Sequence, residues 1–142
     1  FLFSSTGKGL MDISKVASGG ELSRIMLCLK AKMAEFTGMP TLIFDEIDTG
    51  VSGSVADRMG QMICSMGRNM QVFSITHLPQ VAAKGDAHYM VEKSISPDGR
   101  TLSSIRRIDG KERVMEIARL LSGASITPAA VANAETLLNE GH

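Results

Sequence analysis

Tryptophan is absent from the 142 residues, tyrosine occurs once and phenylalanine five times. A chain so poor in aromatics must fill its interior with something else, and its ten methionines are the natural candidates because a flexible thioether packs irregular gaps. Cysteine is scarce too. Cys28 and Cys64 have no C-x-x-C spacing and no nearby histidine pattern, which excludes a disulfide framework and a thiolate metal site and leaves two buried thiols in a reducing compartment. Net charge is also lacking: fifteen basic and fifteen acidic residues cancel, so no global field draws the chain to nucleic acid or an anionic membrane. Any such partner must find a local patch. No apolar run approaches the roughly 18 residues of a membrane span, and no basic segment with an apolar core and cleavage site opens the sequence. A cytoplasmic protein without membrane partners is expected.

What is present is an alternation of strand and helix signals. "FLF" at 1–3 reads as the end of a strand, and an opening without Met, directly in apolar residues, suggests a fragment. Leu22, Ile25, Met26, Leu29, Met33 and Phe36 recur at helical spacing within 18–36, with Gly38 placed for a left-handed cap and Pro40 unable to continue the helix. "TLIF" at 41–44 is a short unbroken apolar run, as in a parallel strand buried on both faces. Val55, Met59, Met62, Ile63 and Met66 mark a second helix over 52–67, and "QVFSIT" at 71–76 marks the next strand. Strand, helix, strand implies a right-handed crossover and an α/β layering of helices against a sheet. Beyond residue 85, "HYMVEKSI" and "TLSSIRRI" flank "SPDGR", where Pro97, Asp98 and Gly99 supply turn chemistry, so a hairpin is expected. Two helices, 111–123 and 127–140, close the chain, the first stopped by Gly123 and the second started by Thr127 and Pro128.

"KVASGGELSR" at 15–24 places two glycines in the first turn of a helix, where each costs backbone entropy. Ser18 and Glu21 form an S-x-x-E capping box, the serine oxygen accepting from the amide three residues on and the glutamate reaching back to the serine amide. A plain capped helix is one reading. The other is that a helix tip stripped of side chains presents its amides beside a positive dipole end, a surface suited to phosphate. "TLIF" runs into Asp45 and Glu46 at the C-terminal end of its strand, where ligands of open α/β sheets sit. These acids form either a solvated turn or a working pair, one holding a hydrated Mg²⁺ while the next orients and deprotonates an attacking water. His77 ends the following strand, so the crossover sets the two strand ends side by side. There it is either a satisfied polar residue or a hydrogen-bond partner for a phosphate or the attacking water.

"ASGGE" (17–21) resembles the signature motif of the ATP-binding-cassette ATPases, "TLIFDE" (41–46) their Walker B strand with its catalytic glutamate, "IDTGVSG" (47–53) their D-loop, and "SITHLPQVA" (74–82) their switch-histidine segment. The wording "DEIDTGVSG", "ITHLPQVAA", "AHYMVEK" and "EIARLLSG" is similar to the SMC-like branch of that family, and the resemblance covers nearly the whole chain. It implies a three-layer, P-loop NTPase-like α/β head of which residues 1–142 are the C-terminal lobe: a largely parallel sheet flanked by helices, with a β-hairpin and two C-terminal helices. It also implies an ATPase, using ATP and Mg²⁺, that sandwiches nucleotide between two heads of a homodimer, in a nucleoid-associated bacterial protein of DNA double-strand-break repair and recombination. Carried over by position, Ser18, Gly19 and Gly20, with Glu21 in the same motif, meet the γ-phosphate held by the opposing head. Asp45 helps hold Mg²⁺, Glu46 polarises the hydrolytic water, Asp48 belongs to the loop that communicates across the dimer, and His77 contacts the γ-phosphate. The implied partners are the N-terminal head lobe of the same protein, a second head, and DNA through the full-length protein.

The departures from that pattern matter equally. No GxxxxGK[ST] occurs; "STGKGL" at 5–10 has neither the spacing nor the following hydroxyl and reads as a turn, and no Q-loop glutamine is identifiable. P-loop amides and their lysine supply most of the grip on the β- and γ-phosphates, so this chain alone is expected to hydrolyse ATP negligibly. A lobe parted from its partner is expected to expose sheet edge and apolar surface, and to self-associate or swap a strand. Arg106, Arg107, Lys111 and Arg113 form a local basic cluster, but Asp109 and Glu112 interleave without an aromatic, which reads as a solvated charged surface. Two other classes fit the same residues. A metal-dependent hydrolase could gather Asp45, Glu46, Asp48 and His77 around one cation without needing Gly19 or Gly20. A non-catalytic dimerisation module could carry the acids as surface decoration.

Overall fold

Ser18 opens the first long helix through the cap its sequence anticipates. The computed structural model describes residues 2–3, 11–12, 18–45, 47–123 and 125–140, and divides into two compact units, residues 1–78 and 79–142. The "STGKGL" turn lies outside the described residues.

The first unit begins with β1 (Leu2–Phe3) paired antiparallel with β2 (Met11–Asp12), a strand without a sequence signal. Helix α1 (Gly19–Thr37) follows and stops at Gly38, which takes the expected left-handed conformation at φ 64°. Its buried positions are Leu27, Ala31 and Ala34. The large apolar stripe read from periodicity points elsewhere: Leu22, Met26, Leu29, Met33 and Phe36 are exposed. Small alanines let the helix pack closely along one stripe, while the bulkier stripe finds no cover among the described residues.

Strand β3 (Thr41–Asp45) and strand β4 (Gln71–Ile75) pair in parallel, in register from Thr41↔Gln71 to Asp45↔Ile75, with α2 (Gly53–Gly67) as the crossover between them. Helix α2 buries Ala56, Met59, Gly60, Ile63 and Met66, close to the expected face, and packs against β4. Alternation along the strands sends Phe44 into the interior, with Leu42, Val72 and Ser74 half-buried on the same face. Ile43, Phe73 and Ile75 occupy the opposite face and are exposed, so the expectation of a strand buried on both faces is corrected. The methionines divide similarly: Met59 and Met66 fill the core, whereas Met26, Met33, Met39 and Met115 are exposed. Neither thiol is buried as expected. Cys28 lies on the open side of α1 and Cys64 is half-buried.

The second unit starts with one turn of helix, α3 (Pro79–Ala82), which has no periodic signal in the sequence. A hairpin follows, β5 (His88–Ile95) against β6 (Thr101–Ile108), in register from His88↔Ile108 to Ile95↔Thr101. Its turn closes through Gly99 N–H donating to Ser96 O at 2.8 Å, with Gly99 at φ 80°. Helices α4 (Gly110–Ser122) and α5 (Pro128–Glu140) match the expected pair within a residue at their ends. Ala83, Ile117, Ala118, Ala130 and Ala134 form their shared core, with Val114, Leu121 and Leu138 packed around it.

Candidate functional site

The parallel pair sets two strand exits side by side. Asp45 is the last residue of β3 and lies opposite Ile75, the last of β4, so His77 emerges two residues beyond the same edge. The Asp45 carboxylate is exposed there. Glu46 lies outside the described residues. This edge is where the carboxyl ends of parallel strands place ligands in α/β proteins.

Beyond Glu46 the chain turns, with Val51 N–H donating to Asp48 O at 3.1 Å and Gly50 and Gly53 at φ 72° and 57°. Positive φ at both positions explains the glycines of "DTGVSG". Asp48, expected on a loop that works between molecules, turns its carboxylate inward and is only 1% exposed. Its Oδ2 accepts from the Thr76 hydroxyl and from the His77 backbone N–H at 3.3 Å. Thr76 Oγ1 in turn accepts from Leu78 N–H at 3.0 Å, an ST-turn. The His77 ring is 67% exposed, with Nδ1 3.6 Å from the same Asp48 oxygen. Asp48 Oδ1 is buried and has no hydrogen-bond partner among the described residues. Thr76 carries no role in the sequence reading. Its only signal is a hydroxyl placed between a strand end and a histidine.

At the tip of α1 the capping box is complete. Ser18 N–H donates to Glu21 Oε2 at 2.9 Å, and Glu21 N–H donates to Ser18 Oγ at 3.3 Å. The amides of the first helical residues have no partner within a helix, and the half-buried Gly20 adds no side chain to the tip. Gly20 also answers a packing demand. A Cβ added there would lie 3.3 Å from the carbonyl oxygen of Gly50, tighter than ordinary contact. The second glycine of the tip is thus favoured by the chain's own turn after β3, whatever ligand the tip meets.

The basic cluster is largely spoken for within the second unit. Arg106 pairs with Glu92 at 3.2 Å and with Glu112, Arg107 with Asp109 at 3.2 Å, and Arg113 donates to the carbonyls of Ala83 and Gly85. Contacts with both glutamates push the Arg106 guanidinium further up, and Arg106 pulls Glu112 down. Arg106, Arg107 and Lys111 form the solvated charged surface expected, whereas Arg113 is half-buried. Among the described residues no group of three or more His, Cys, Asp or Glu side chains could hold a metal ion, and no helix is long and apolar enough to cross a membrane.

Comparison with known proteins follows the same lines. No protein-family profile matches the chain. It is 47% identical over 134 residues to the DNA repair protein RecN of Xylella fastidiosa strain 9a5c, covering 94% of this chain and 24% of the relative. The fold matches the Smc head domain with coiled coil and joint from Pyrococcus yayanosii, with TM-score 0.69 and 22% identity over 87% of this chain and 22% of that one. It also matches a chain described in a study of ATP-driven dimerisation and DNA-stimulated activation of SMC ATPases, with TM-score 0.62 and 20% identity over 84% and 70% of the two chains. The chain spans about a quarter of the length of the curated relatives it matches.

Proposed function

Because this chain is RecN-like in sequence along nearly its whole length and folded as SMC heads are, we propose that it is the C-terminal lobe of an ATP-hydrolysing head in a cytoplasmic, nucleoid-associated protein of bacterial DNA repair and recombination. The observation that carries the reading is the parallel register Asp45↔Ile75, which brings the acid-bearing and histidine-bearing strand exits to one edge. There Glu46 acts as the base that orients and deprotonates the attacking water, and His77 hydrogen-bonds the γ-phosphate. Ser18, Gly19 and Gly20 meet the γ-phosphate of a nucleotide carried by a second head, their amides and the helix dipole favouring the anion, while Glu21 holds the cap that shapes the tip.

The donor set fits ATP and Mg²⁺. Mg²⁺ keeps several waters and needs only one or two protein carboxylates beside substrate phosphates, so the exposed Asp45 suffices without a three-ligand cage, and none is formed among the described residues. When bound, it would neutralise charge developing on the phosphate oxygens. The open face of β3 and β4, with Ile43, Phe73 and Ile75, is the surface that the N-terminal, P-loop-bearing lobe covers. DNA is a partner of the full-length protein; the Arg106 and Arg107 patch does not carry that role.

Glu46→Gln in the full-length protein tests the reading. Hydrolysis is expected to fall by about 100-fold or more while ATP stays bound and the heads remain associated. Unchanged turnover removes Glu46 from the base role. Turnover by this chain alone, lost on the same substitution, overturns the shared-site arrangement.

A further inference from the structure

The His77 ring is largely in solvent, and its Nδ1 sits 3.6 Å from Asp48, beyond hydrogen-bond distance. What fixes it is the backbone beneath. The Thr76 hydroxyl and the His77 N–H both donate to Asp48 Oδ2, and Leu78 N–H closes back on Thr76 Oγ1, so three consecutive residues hang from one carboxylate oxygen. A buried carboxylate is costly unless it is hydrogen-bonded, and a charged acceptor binds its donors more strongly than a neutral one. Asp48 lies three residues after Asp45, so it ties the two strand exits together a second time, beyond the register of the strands.

Resting on the ATPase-head reading, we propose that Asp48 is a positioning residue: its buried carboxylate pins the turn from which His77 projects and so sets where the imidazole meets the terminal phosphate. Thr76 is the relay that completes the clamp. The loop after β3 and the turn after β4 then move as one piece, and the histidine is aimed by a residue 29 positions away in sequence.

In the full-length protein, Asp48→Asn keeps the side-chain size and an acceptor oxygen but removes the charge, Thr76→Val removes the relay hydroxyl, and Thr76→Ser keeps it. Asp48→Asn and Thr76→Val are each expected to lower kcat about tenfold with KM for ATP held within about twofold, and Thr76→Ser to retain wild-type kcat. Asp48→Asn added to His77→Ala is expected to cause no further loss, because both act through one imidazole. A lowered thermal midpoint with unchanged kcat per folded molecule, or additive losses in the double variant, overturns the proposal. Loss on His77→Ala with none on Asp48→Asn sinks the Asp48 assignment alone. No loss on His77→Ala sinks the histidine role beneath it.

Discussion

Helices α1 and α4 are held by opposite means. The first has a complete capping box and a left-handed glycine stop, yet leaves most of its large apolar side chains in solvent, Phe36 at 92% exposure. In the second, the N-cap Asp109 side chain makes no hydrogen bond to the helix amides, and the helix instead drives Ile117 and Ala118 fully out of solvent against α5. Local hydrogen bonding delimits one helix and tertiary packing secures the other. Periodicity says where a helix keeps its apolar side chains, not whether the chain in hand has something to lay over them.

Substitutions can widen or collapse that contrast. The largest effect is expected from Ile117→Ala, which leaves a cavity among Ala83, Ala130 and Ala134 and costs about 3 kcal/mol. Tyr89, the sole tyrosine in a chain without tryptophan, lies in the same unit, so urea unfolding followed by its fluorescence reads that loss directly. Ser18→Ala, which removes the cap of α1, is expected to cost about 1 kcal/mol, visible as a lower midpoint in circular dichroism at helical wavelengths. A loss as large as that from Ile117→Ala would mean that α1 depends on its cap more than on Leu27, Ala31 and Ala34.

A smaller effect follows from His88. Burial, reinforced by the Arg113 charge and opposed by Glu116, holds its imidazole below the ordinary value. The unfolded chain therefore takes up a proton first. Stability that is fully present above about pH 6.5 is expected to decline as pH falls through the lower folded value, and His88→Gln should flatten the decline in the Tyr89-monitored midpoint. Smallest of all, Phe36→Ala is expected to change stability by less than about 0.5 kcal/mol, since the ring leaves no buried contact behind. A cost comparable to Ile117→Ala would show that something covers the α1 stripe in solution.

Features fixed within a few residues were legible from the sequence. The Ser18–Glu21 box, the αL stop at Gly38, the "SPDGR" turn and the β3–α2–β4 crossover all depend on neighbours in the chain or on one short connection. Features decided by distant partners were not. Whether Ile43, Phe73 and Cys28 are covered depends on a layer the sequence pattern cannot supply, so hydrophobic strand and thiol alike were expected inside. The inward turn of Asp48 needs Thr76, 28 residues away, and no local pattern announces that meeting. The acids and histidine of the strand exits were legible as a set because parallel pairing converts their order in the chain into a shared edge.

A Cβ added at Gly20 would lie 3.3 Å from the Gly50 carbonyl oxygen, a side-chain atom against main chain. A crowded side chain can swing to another rotamer, but a peptide oxygen moves only with its peptide plane, and Gly50 already sits at φ 72°. A side chain at position 20 would therefore have to displace the bend following β3 by a few tenths of an ångström.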